Sequence, residues 1–251
     1  MPDASPTEQL HLSDATLTEC TATVEEVRAG DDGAPRVRLD RTVLYATGGG
    51  QPHDTGILGG RTVVDVVHDP DDHERTWHVL APGEAPPAPG EEVRVVVDAD
   101  RRRALMRTHT ALHILCGVMW RDHGVVVTGG NMEPLSGRLD FEFPDPPEGF
   151  AAQLQDALNA EVAADRPIRV SFVPRGEAVL DDSLIRTKVS LVPESVREVR
   201  VVDIEGLDRQ ADGGTHVERT GEVGGLRVAK VQSKGKGFRR VRLEVLDAPP
   251  G

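Results

Sequence analysis

Two short motifs, about a hundred residues apart, carry the side chains best suited to chemistry. His109 and His113 are four positions apart, and so are Asp212 and His216. Three imidazoles and one carboxylate that face one point can hold a divalent metal for metal-assisted hydrolysis. Each motif also has an ordinary explanation: histidines satisfied by hydrogen bonds on a helix, and a turn between strands at the Asp-Gly pair. Together they favour a metal site.

The first histidine pair falls in a predicted helix that runs from Asp100 to about Asp122. Leucine, valine and methionine recur along this run at helical spacing. Asp98 or Asp100 can cap its start, and Gly124 can end it. Because residues four apart on a helix leave the same face, both imidazoles of the pair can reach one metal.

The second motif contains two consecutive glycines, Gly213 and Gly214. Glycine allows a tight turn or a positive φ, so this loop can fold Asp212 and His216 onto one point. The sequence therefore predicts a helix and a glycine loop that converge on the same site.

The remaining elements predict two domains of an α+β protein. Five short β-like runs separated by turns, at residues 21–27, 36–39, 62–67, 76–80 and 93–97, predict a small N-terminal β-barrel domain over residues 1–98. Residues 99–251 are predicted to form the second domain, an α+β domain with the histidine helix and an antiparallel sheet. Its further elements are a helix at 148–164, strands at 125–128 and 138–143 around a Gly129-Gly130 turn, and strands at 168–173, 198–204, 226–232 and 239–246.

Three motifs resemble those of one protein family and occur in that family's order. Residues 108–113 (THTALH) and residues 213–217 (GGTHV), followed by 220–224 (TGEVG), resemble the two zinc motifs of AlaX proteins and of the editing domain of alanyl-tRNA synthetase. Residues 45–56 (YATGGGQPHDTG) resemble the glycine-rich signature of the N-terminal domain in the longer AlaX form. The resemblance spans roughly residues 1–245. It implies an N-terminal barrel, one Zn²⁺ per chain and His109, His113 and His216 as its ligands.

The chain departs from the family pattern at one position. Asp212 stands where the second zinc motif usually has a cysteine. An aspartate oxygen can itself bind zinc and would make the site harder, and so more tolerant of other divalent ions. Alternatively, Asp212 orients an imidazole without touching the metal. Cys116 lies three residues after His113, where reaching the same metal is awkward, so we interpret it as a small buried side chain.

The resemblance also implies roles for residues outside the metal motifs. Thr128 resembles the family's threonine that senses a substrate hydroxyl. Thr128 and Gln51 are the predicted catalytic residues. The alternative for Thr128 is an ordinary threonine at the end of a strand. Gly48, Gly49 and Gly50 are predicted to approach the site with Gln51, since glycine permits close backbone contact; a hairpin turn is the alternative.

Composition limits the partners of the chain. The net charge of −13 argues against nucleic-acid binding overall. However, residues 227–242 hold seven basic residues and no acid, so they predict either a phosphate-binding surface or a solvated strand pair. The predicted substrate contacts in this segment are Lys234, Lys236, Arg239 and Arg240. Two cysteines without a disulfide-like spacing predict a cytoplasmic protein. No apolar run is long enough to span a membrane, so no membrane attachment is expected. No obligate protein partner is evident from the sequence.

The implied function is hydrolysis of the ester that joins serine, and also glycine, to alanine tRNA. Three alternatives remain open: a metal hydrolase of another ester or amide, a non-catalytic tRNA-binding relative whose metal site is degenerate, and an editing factor for a different tRNA, because threonyl-tRNA synthetase carries a related domain. Residues 48–56 favour the alanine branch.

Overall fold

The computed structural model describes residues 6–178, 197–235 and 237–250. The chain divides into two compact units, one formed by residues 1–48 and 52–103 and the other by residues 49–51 and 104–251. The second unit therefore includes three residues from the glycine-rich segment. The predicted domain boundary between residues 98 and 99 stays a prediction.

The first unit is built around a closed six-stranded barrel, which confirms the predicted barrel. In chain order its strands are β1 (Glu8–Gln9), β2 (Glu19–Ala29), β3 (Pro35–Leu39), β4 (Arg41–Thr42), β5 (Gly56–Leu58), β6 (Arg61–His68), β7 (Thr76–Leu80) and β8 (Glu92–Val97). The barrel order is β2-β3-β7-β6-β5-β8, while β1 pairs separately with β4. Alternating valines and leucines fill its interior, as period-two patterning requires.

A buried ion pair holds the loop of the glycine-rich segment at its base. Asp54 is fully buried, and its carboxylate accepts hydrogen bonds from the guanidinium of Arg102 and from the backbone N–H of Tyr45. The backbone N–H of Asp54 also donates to the carbonyl of Tyr45 (3.0 Å). Because a buried charge is costly unless it is paired, this network fixes both ends of the loop formed by residues 46–53.

The predicted histidine helix is confirmed as α1 (Ala99–His123). The carboxylate of Asp98 accepts the backbone N–H of Arg101 at 3.1 Å, which satisfies one of the free donors of the first turn. Gly124 follows the helix with a φ of 67°, a conformation that glycine adopts without strain. Among the helices of the described ranges, none is long and apolar enough to cross a membrane.

The second unit contains two antiparallel sheets. Its other elements are β9 (Val127–Glu133), β10 (Ser136–Glu142), α2 (Phe150–Ala163), β11 (Ile168–Pro174), α3 (Arg175–Ala178), β12 (Glu198–Ile204), β13 (Asp208–Ala211), β14 (Gly225–Ser233) and β15 (Phe238–Leu246). One sheet has the order β14-β15-β10-β9, and the other has the order β11-β12-β13. The predicted α+β class is therefore confirmed, and β13 is a strand that the sequence patterns did not reveal.

The predicted turn at Gly129 and Gly130 is wrong. Both glycines lie inside β9 and pair with β10. The chain instead reverses direction just after Glu133, where Leu135 has a φ of 61°. A Cβ at Gly130 would lie 2.9 Å from a methyl carbon of Leu139, so close packing across the strand pair explains this glycine.

Candidate metal centre

Helix α1 and the loop after β13 bring four side chains together. His109, His113, Asp212 and His216 each offer a ligand atom, and these atoms all lie within 4.8 Å of one another. The three imidazole centroids are 4.4 to 5.1 Å apart. The histidines are buried and Asp212 is half-buried. The structure thus assembles a cluster able to hold one metal ion.

The separations around Asp212 fit a tetrahedral ion. Its carboxylate oxygens lie 3.0 Å from Nε2 of His216, 3.5 Å from Nε2 of His109 and 4.0 Å from Nε2 of His113. Two atoms that each bind a tetrahedral zinc at about 2.0–2.2 Å are about 3.3–3.6 Å apart. The observed distances bracket this separation, so the four residues fit a zinc ion with small adjustments.

Each imidazole is held through its other nitrogen. Nδ1 of His109 lies 3.0 Å from Oε1 of Gln51, Nδ1 of His113 lies 3.0 Å from Oδ2 of Asp208, and Nδ1 of His216 lies 3.1 Å from Oγ1 of Thr110. An amide or carboxylate oxygen only accepts, so His109 and His113 donate from Nδ1. In the neutral imidazole this leaves the Nε2 lone pair facing the cluster, as metal ligation requires.

Gln51 is fully buried, and both ends of its amide are engaged. Oε1 accepts from His109 and from the backbone N–H of Thr215 (3.0 Å), while Nε2 donates to Oγ1 of Thr215 (2.9 Å). Gln51 therefore connects the first zinc-like motif to the second. These contacts favour a role in orienting His109, whereas the predicted catalytic role stays a prediction.

Position 214 has no room for a side chain and therefore requires glycine, whereas position 213 has room for one. A Cβ at Gly214 would overlap the His109 ring and lie 2.8 Å from Oε1 of Gln51, whereas a Cβ at Gly213 would meet nothing within 4 Å. Neither glycine has a positive φ. The positive-φ alternative in the sequence analysis is therefore wrong: Gly214 is glycine so that the loop can pass close to the His109 ring.

Burial and neighbouring charges shift the protonation of the cluster. Burial lowers the pKa of His109 to about 4, and burial together with the charge of His109 lowers the pKa of His216 well below its usual value. Burial also acts to lower the pKa of His113, but the hydrogen bond and charge of Asp208 outweigh it and raise that pKa. Burial acts to raise the pKa of Asp212, yet the neighbouring histidines lower it well below its usual value. Metals bind a neutral imidazole and an ionised carboxylate, so the pKa shifts of His109, His216 and Asp212 favour metal binding, whereas that of His113 favours its protonated form.

Asp208 lies behind His113 and was not among the residues predicted from the sequence. Its Oδ2 also accepts from Nε2 of Gln210 at 2.7 Å, and Gln210 in turn lies 3.3 Å from Sγ of Cys116. Cys116 is thus buried behind the cluster and outside its ligand set, as interpreted from its position. Gly117 permits this arrangement, because a Cβ there would lie 2.8 Å from Leu207 and 3.1 Å from Asp208.

A buried cation, Arg200, borders the cluster. Its Nη1 donates to the backbone carbonyl of Asp212 at 2.8 Å and lies 3.7 Å from Oδ2 of the same residue. The side chain is only 6% exposed, so solvent screens its charge little. Arg200 therefore stabilises the loop conformation of Asp212 and adds positive charge at the edge of the site.

Thr128 lies at an irregularity in the pairing of β9 with β10. Asp140 pairs with Gly129 and Phe141 pairs with Val127, so Thr128 is the extra residue of a β-bulge. Its hydroxyl donates to the carbonyl oxygen of Asp140 at 3.1 Å. The lone pairs of Oγ1 therefore remain able to accept a further hydrogen bond.

Two glycines of the glycine-rich segment have a backbone conformation that favours glycine. Gly49 and Gly50 have φ values of 55° and 89°, and a Cβ on either would meet nothing within 4 Å. The positive φ that leads into Gln51 accounts for both glycines, while their predicted approach to the site stays a prediction. At Gly48 the nearest atom to a Cβ is the Tyr45 hydroxyl at 3.6 Å, which is an ordinary contact.

The predicted phosphate contacts differ in how much of their charge is available. Lys234 is exposed, and Arg239 donates to the carbonyl oxygen of Pro144 at 2.7 Å. Arg240 makes two 2.7 Å hydrogen bonds to the carboxylate of Asp140, which neutralises much of its charge. Lys236 lies outside the described residues.

Comparison with known proteins assigns the chain to a family. The family model of the threonyl and alanyl tRNA synthetase second additional domain matches residues 199–242. The chain is 35% identical to an alanyl-tRNA editing protein AlaX-M of Methanosarcina acetivorans, over 96% of this chain and 100% of that protein. It is 33% identical to an AlaX-M protein of Saccharolobus solfataricus, over 94% and 97%. It is also 36% identical to an alanine–tRNA ligase of Pyrobaculum aerophilum, over 95% of this chain but 27% of the ligase.

Proposed function

Because the chain belongs to the family of alanyl-tRNA editing proteins of the AlaX-M type, we propose that it hydrolyses the ester of mischarged alanine tRNA, with serine and glycine as the amino acids removed. The observation that carries this proposal is the cluster of three histidines and Asp212, whose ligand atoms converge within 4.8 Å. An aminoacyl ester needs little activation, so correct positioning beside a polarising group supplies much of the catalysis.

The proposed cofactor is one Zn²⁺ per chain, held by Nε2 of His109, His113 and His216 with a carboxylate oxygen of Asp212 as the fourth ligand. When bound, such an ion acts as a Lewis acid toward a carbonyl oxygen or a water molecule. The support is the convergence of the four groups and the anchoring of Nδ1 by Gln51, Asp208 and Thr110. Three nitrogens and one oxygen make a harder site than one with a thiolate, so we expect Co²⁺ or Mn²⁺ to substitute more readily.

In this proposal, residues around the cluster orient the metal-binding side chains. Gln51 fixes the ring of His109, and Asp208 fixes the ring of His113. Partners of this kind commonly change metal affinity about 10–100-fold when they are removed. Arg200 places a positive charge that solvent screens little beside Asp212, and this charge favours negative charge at the edge of the site.

We propose that Thr128 provides the preference for serine over alanine. Serine differs from alanine by one hydroxyl, and a site that pairs with that hydroxyl leaves a polar group unpaired when alanine enters. Thr128 already donates its hydrogen to the carbonyl of Asp140, so its oxygen is oriented to accept. A serine hydroxyl would therefore be the donor in this contact.

For the RNA, we propose contacts from the hairpin of β14 and β15, with Gly48, Gly49 and Gly50 near the substrate. Lys234 is exposed, and the 2.7 Å hydrogen bond of Arg239 goes to a neutral carbonyl oxygen, so this bond leaves the charge of Arg239 in place. Arg138 and Arg242 line a cavity of about 290 Å³ on the same sheet. Arg240 supports the surface through Asp140 rather than as a free charge.

A deacylation assay tests the proposed function. Purified protein is mixed with alanine tRNA charged with serine, glycine or alanine, and the loss of each ester is followed. We expect fast loss of serine and glycine, with alanine spared. The control is the His109→Ala plus His113→Ala double variant, which should lose both metal and activity while remaining folded.

The same assay separates the proposal from its alternatives. Loss of serine from threonine tRNA, with mischarged alanine tRNA spared, would indicate an editing factor for a different tRNA. Binding of charged alanine tRNA without ester loss, by a protein that holds no metal, would indicate a non-catalytic relative. Hydrolysis of simple esters without any effect of the RNA would indicate a general metal hydrolase.

A further inference from the structure

The three-stranded sheet presents one face to helix α1, and that face extends beyond the cluster of His109, His113, Asp212 and His216. Residues paired directly across antiparallel strands project to the same side. Val170 of β11 pairs with Val202 of β12, which pairs with Gln210 of β13. Gln210 contacts Cys116 of α1, so this side of the sheet is the side that faces the helix.

On this face, the outer strand β11 is exposed while its neighbour is buried. Phe172 is 45% exposed and Val170 is 39% exposed. Their cross-strand partners, Arg200 and Val202, are 7% and 0% exposed. Helix α1 therefore covers the inner strands and leaves an apolar shelf formed by Val170 and Phe172.

The shelf lies in the same cross-strand row as the cluster. Phe172 pairs with Arg200, and the backbone N–H of Asp212 donates to the carbonyl of Arg200 at 3.1 Å. The row thus runs Phe172, Arg200, Asp212. Two strand spacings of about 4.8 Å separate the backbones of Phe172 and Asp212 by about 10 Å. A nucleoside whose ester lies at the cluster can bring its base to Phe172 when it extends along this row.

We propose that Phe172, supported by Val170, stacks against the terminal adenine ring of the charged tRNA while its ester lies at the His109, His113, Asp212 and His216 cluster. The inference rests on the proposed function, because it takes the ester to be the group that enters the cluster. It adds a binding site for the base itself, separate from the metal cluster and from the basic hairpin.

The chemistry of RNA ends supports this occupant. Proteins recognise unpaired nucleotides by stacking the base on an aromatic side chain, and the 3′ end of a charged tRNA is unpaired. The stacking partner must be an aromatic ring that solvent reaches in the free protein, as Phe172 does. Loss of one such contact commonly weakens binding roughly five- to hundredfold. Because stacking holds the substrate before and during the reaction, the loss should appear mainly in KM.

The test combines protein variants with two substrates. One substrate is an alanine minihelix charged with serine on its terminal adenosine; the other is the same minihelix ending in an abasic ribose that carries the seryl ester. Phe172→Ala and Phe172→Trp are compared with the native protein. Trp120→Ala is the matched control, because Trp120 is an aromatic residue of the same unit and is 42% exposed.

Stacking predicts one pattern. On the adenosine-ended substrate, Phe172→Ala should lower kcat/KM roughly five- to hundredfold, mostly through KM, and Phe172→Trp should retain it. On the abasic substrate, Phe172→Ala should equal the native protein, which itself should have lost the same factor. Trp120→Ala should follow the native protein on both substrates.

Other patterns overturn the inference in distinct ways. Equal losses by Phe172→Ala on both substrates would mean that Phe172 supports the fold. No loss on either substrate, with an active native protein, would reject the adenine contact alone. A native dimer that Phe172→Ala converts to a monomer in sedimentation would make the shelf an interface between copies. A native protein inactive on every charged RNA would instead reject the proposed function.

Discussion

Replacing Gly214 by alanine should damage the metal centre, whereas the same change at Gly213 should not. The two residues are adjacent in one loop, and each variant adds a single methyl group. A Cβ at Gly214 would overlap the His109 ring and lie 2.8 Å from Oε1 of Gln51, while a Cβ at Gly213 meets nothing within 4 Å. Neither has a positive φ, so backbone strain does not distinguish them.

The size of the effect follows from these distances. Ordinary contact with a Cβ begins at 3.4 Å, so Gln51 Oε1 at 2.8 Å must retreat by about 0.6 Å and the His109 ring by more. Metal–ligand distances are held to about ±0.2 Å, so a shift of this size removes His109 from the ligand set. We expect zinc affinity to fall at least 10–100-fold. Crowding of the buried ring should destabilise the metal-free protein by about 1–3 kcal/mol.

The assay is a titration of metal-free protein with Zn²⁺ in competition with a chromophoric chelator, followed by the deacylation assay on serine-charged alanine tRNA. Gly213→Ala should match the native protein in both measurements. If Gly214→Ala binds zinc as tightly as Gly213→Ala does, the loop does not need glycine for its approach to His109. The arrangement of Gln51, His109 and Gly214 would then be wrong.

Four further outcomes are expected. Asp212→Asn should weaken zinc binding because it removes the only charged ligand, and the chelator titration measures this directly; unchanged affinity would mean that the carboxylate does not touch the metal. Thr128→Val should lower serine deacylation roughly two- to tenfold while leaving glycine deacylation nearly unchanged, since one neutral hydrogen bond is worth about 0.5–1.5 kcal/mol; equal losses would assign Thr128 to the fold. Neutral substitutions at Lys234 and Arg239 should weaken tRNA binding and reduce its dependence on salt, and identical salt slopes would exclude phosphate contacts. Burial lowers the pKa of His78 to about 4 from 6.5, so its neutral form stabilises the fold above pH 6.5, and this contribution, about 3 kcal/mol, disappears as the pH falls toward 4. Urea unfolding across that range should show a shallower slope in His78→Gln than in the native protein, because His109 and His216 contribute slopes of the same sign to both proteins.

The ligand residues could be found from the sequence, because each pair is defined by local spacing. His109 and His113 leave one helix face, and Asp212 and His216 lie in one short loop. The residues that hold the imidazoles are 58, 95 and 106 positions away from them in the chain. Local periodicity carries no information about such contacts, which is why Asp208 was missed and why the part that Thr110 plays could not be seen.

The strand patterns were informative where one face of a strand is buried, and less so elsewhere. Strands β2, β6 and β8 of the barrel alternate between core and solvent along much of their length, and the predicted runs fall within the observed strands. Strand β13 alternates too, but it has four residues, and its buried side chains are Asp208 and Gln210. A hydrophobic pattern cannot reveal a strand whose inward face is polar because it contacts the histidine cluster. The turn predicted at Gly129 and Gly130 is wrong because close packing and chain reversal both favour glycine, and the sequence alone does not distinguish them.

Strand β13 and the loop after it show how the fold and the candidate chemistry depend on each other. Asp208 fixes His113 from the strand, and Asp212 faces the three Nε2 atoms from the loop. The register of β13 against β12 sets both positions, because Ile204 pairs with Asp208 and Val201 pairs with Ala211. A one-residue slip would turn Asp208 and Gln210 to the opposite face and leave His113 without its partner. The pairing of β11 with β12 sets Phe172 opposite Arg200, and the backbone hydrogen bond from Asp212 to Arg200 continues this row into the loop. Two strand pairings that share β12 therefore position the histidine–aspartate cluster and the proposed base contact.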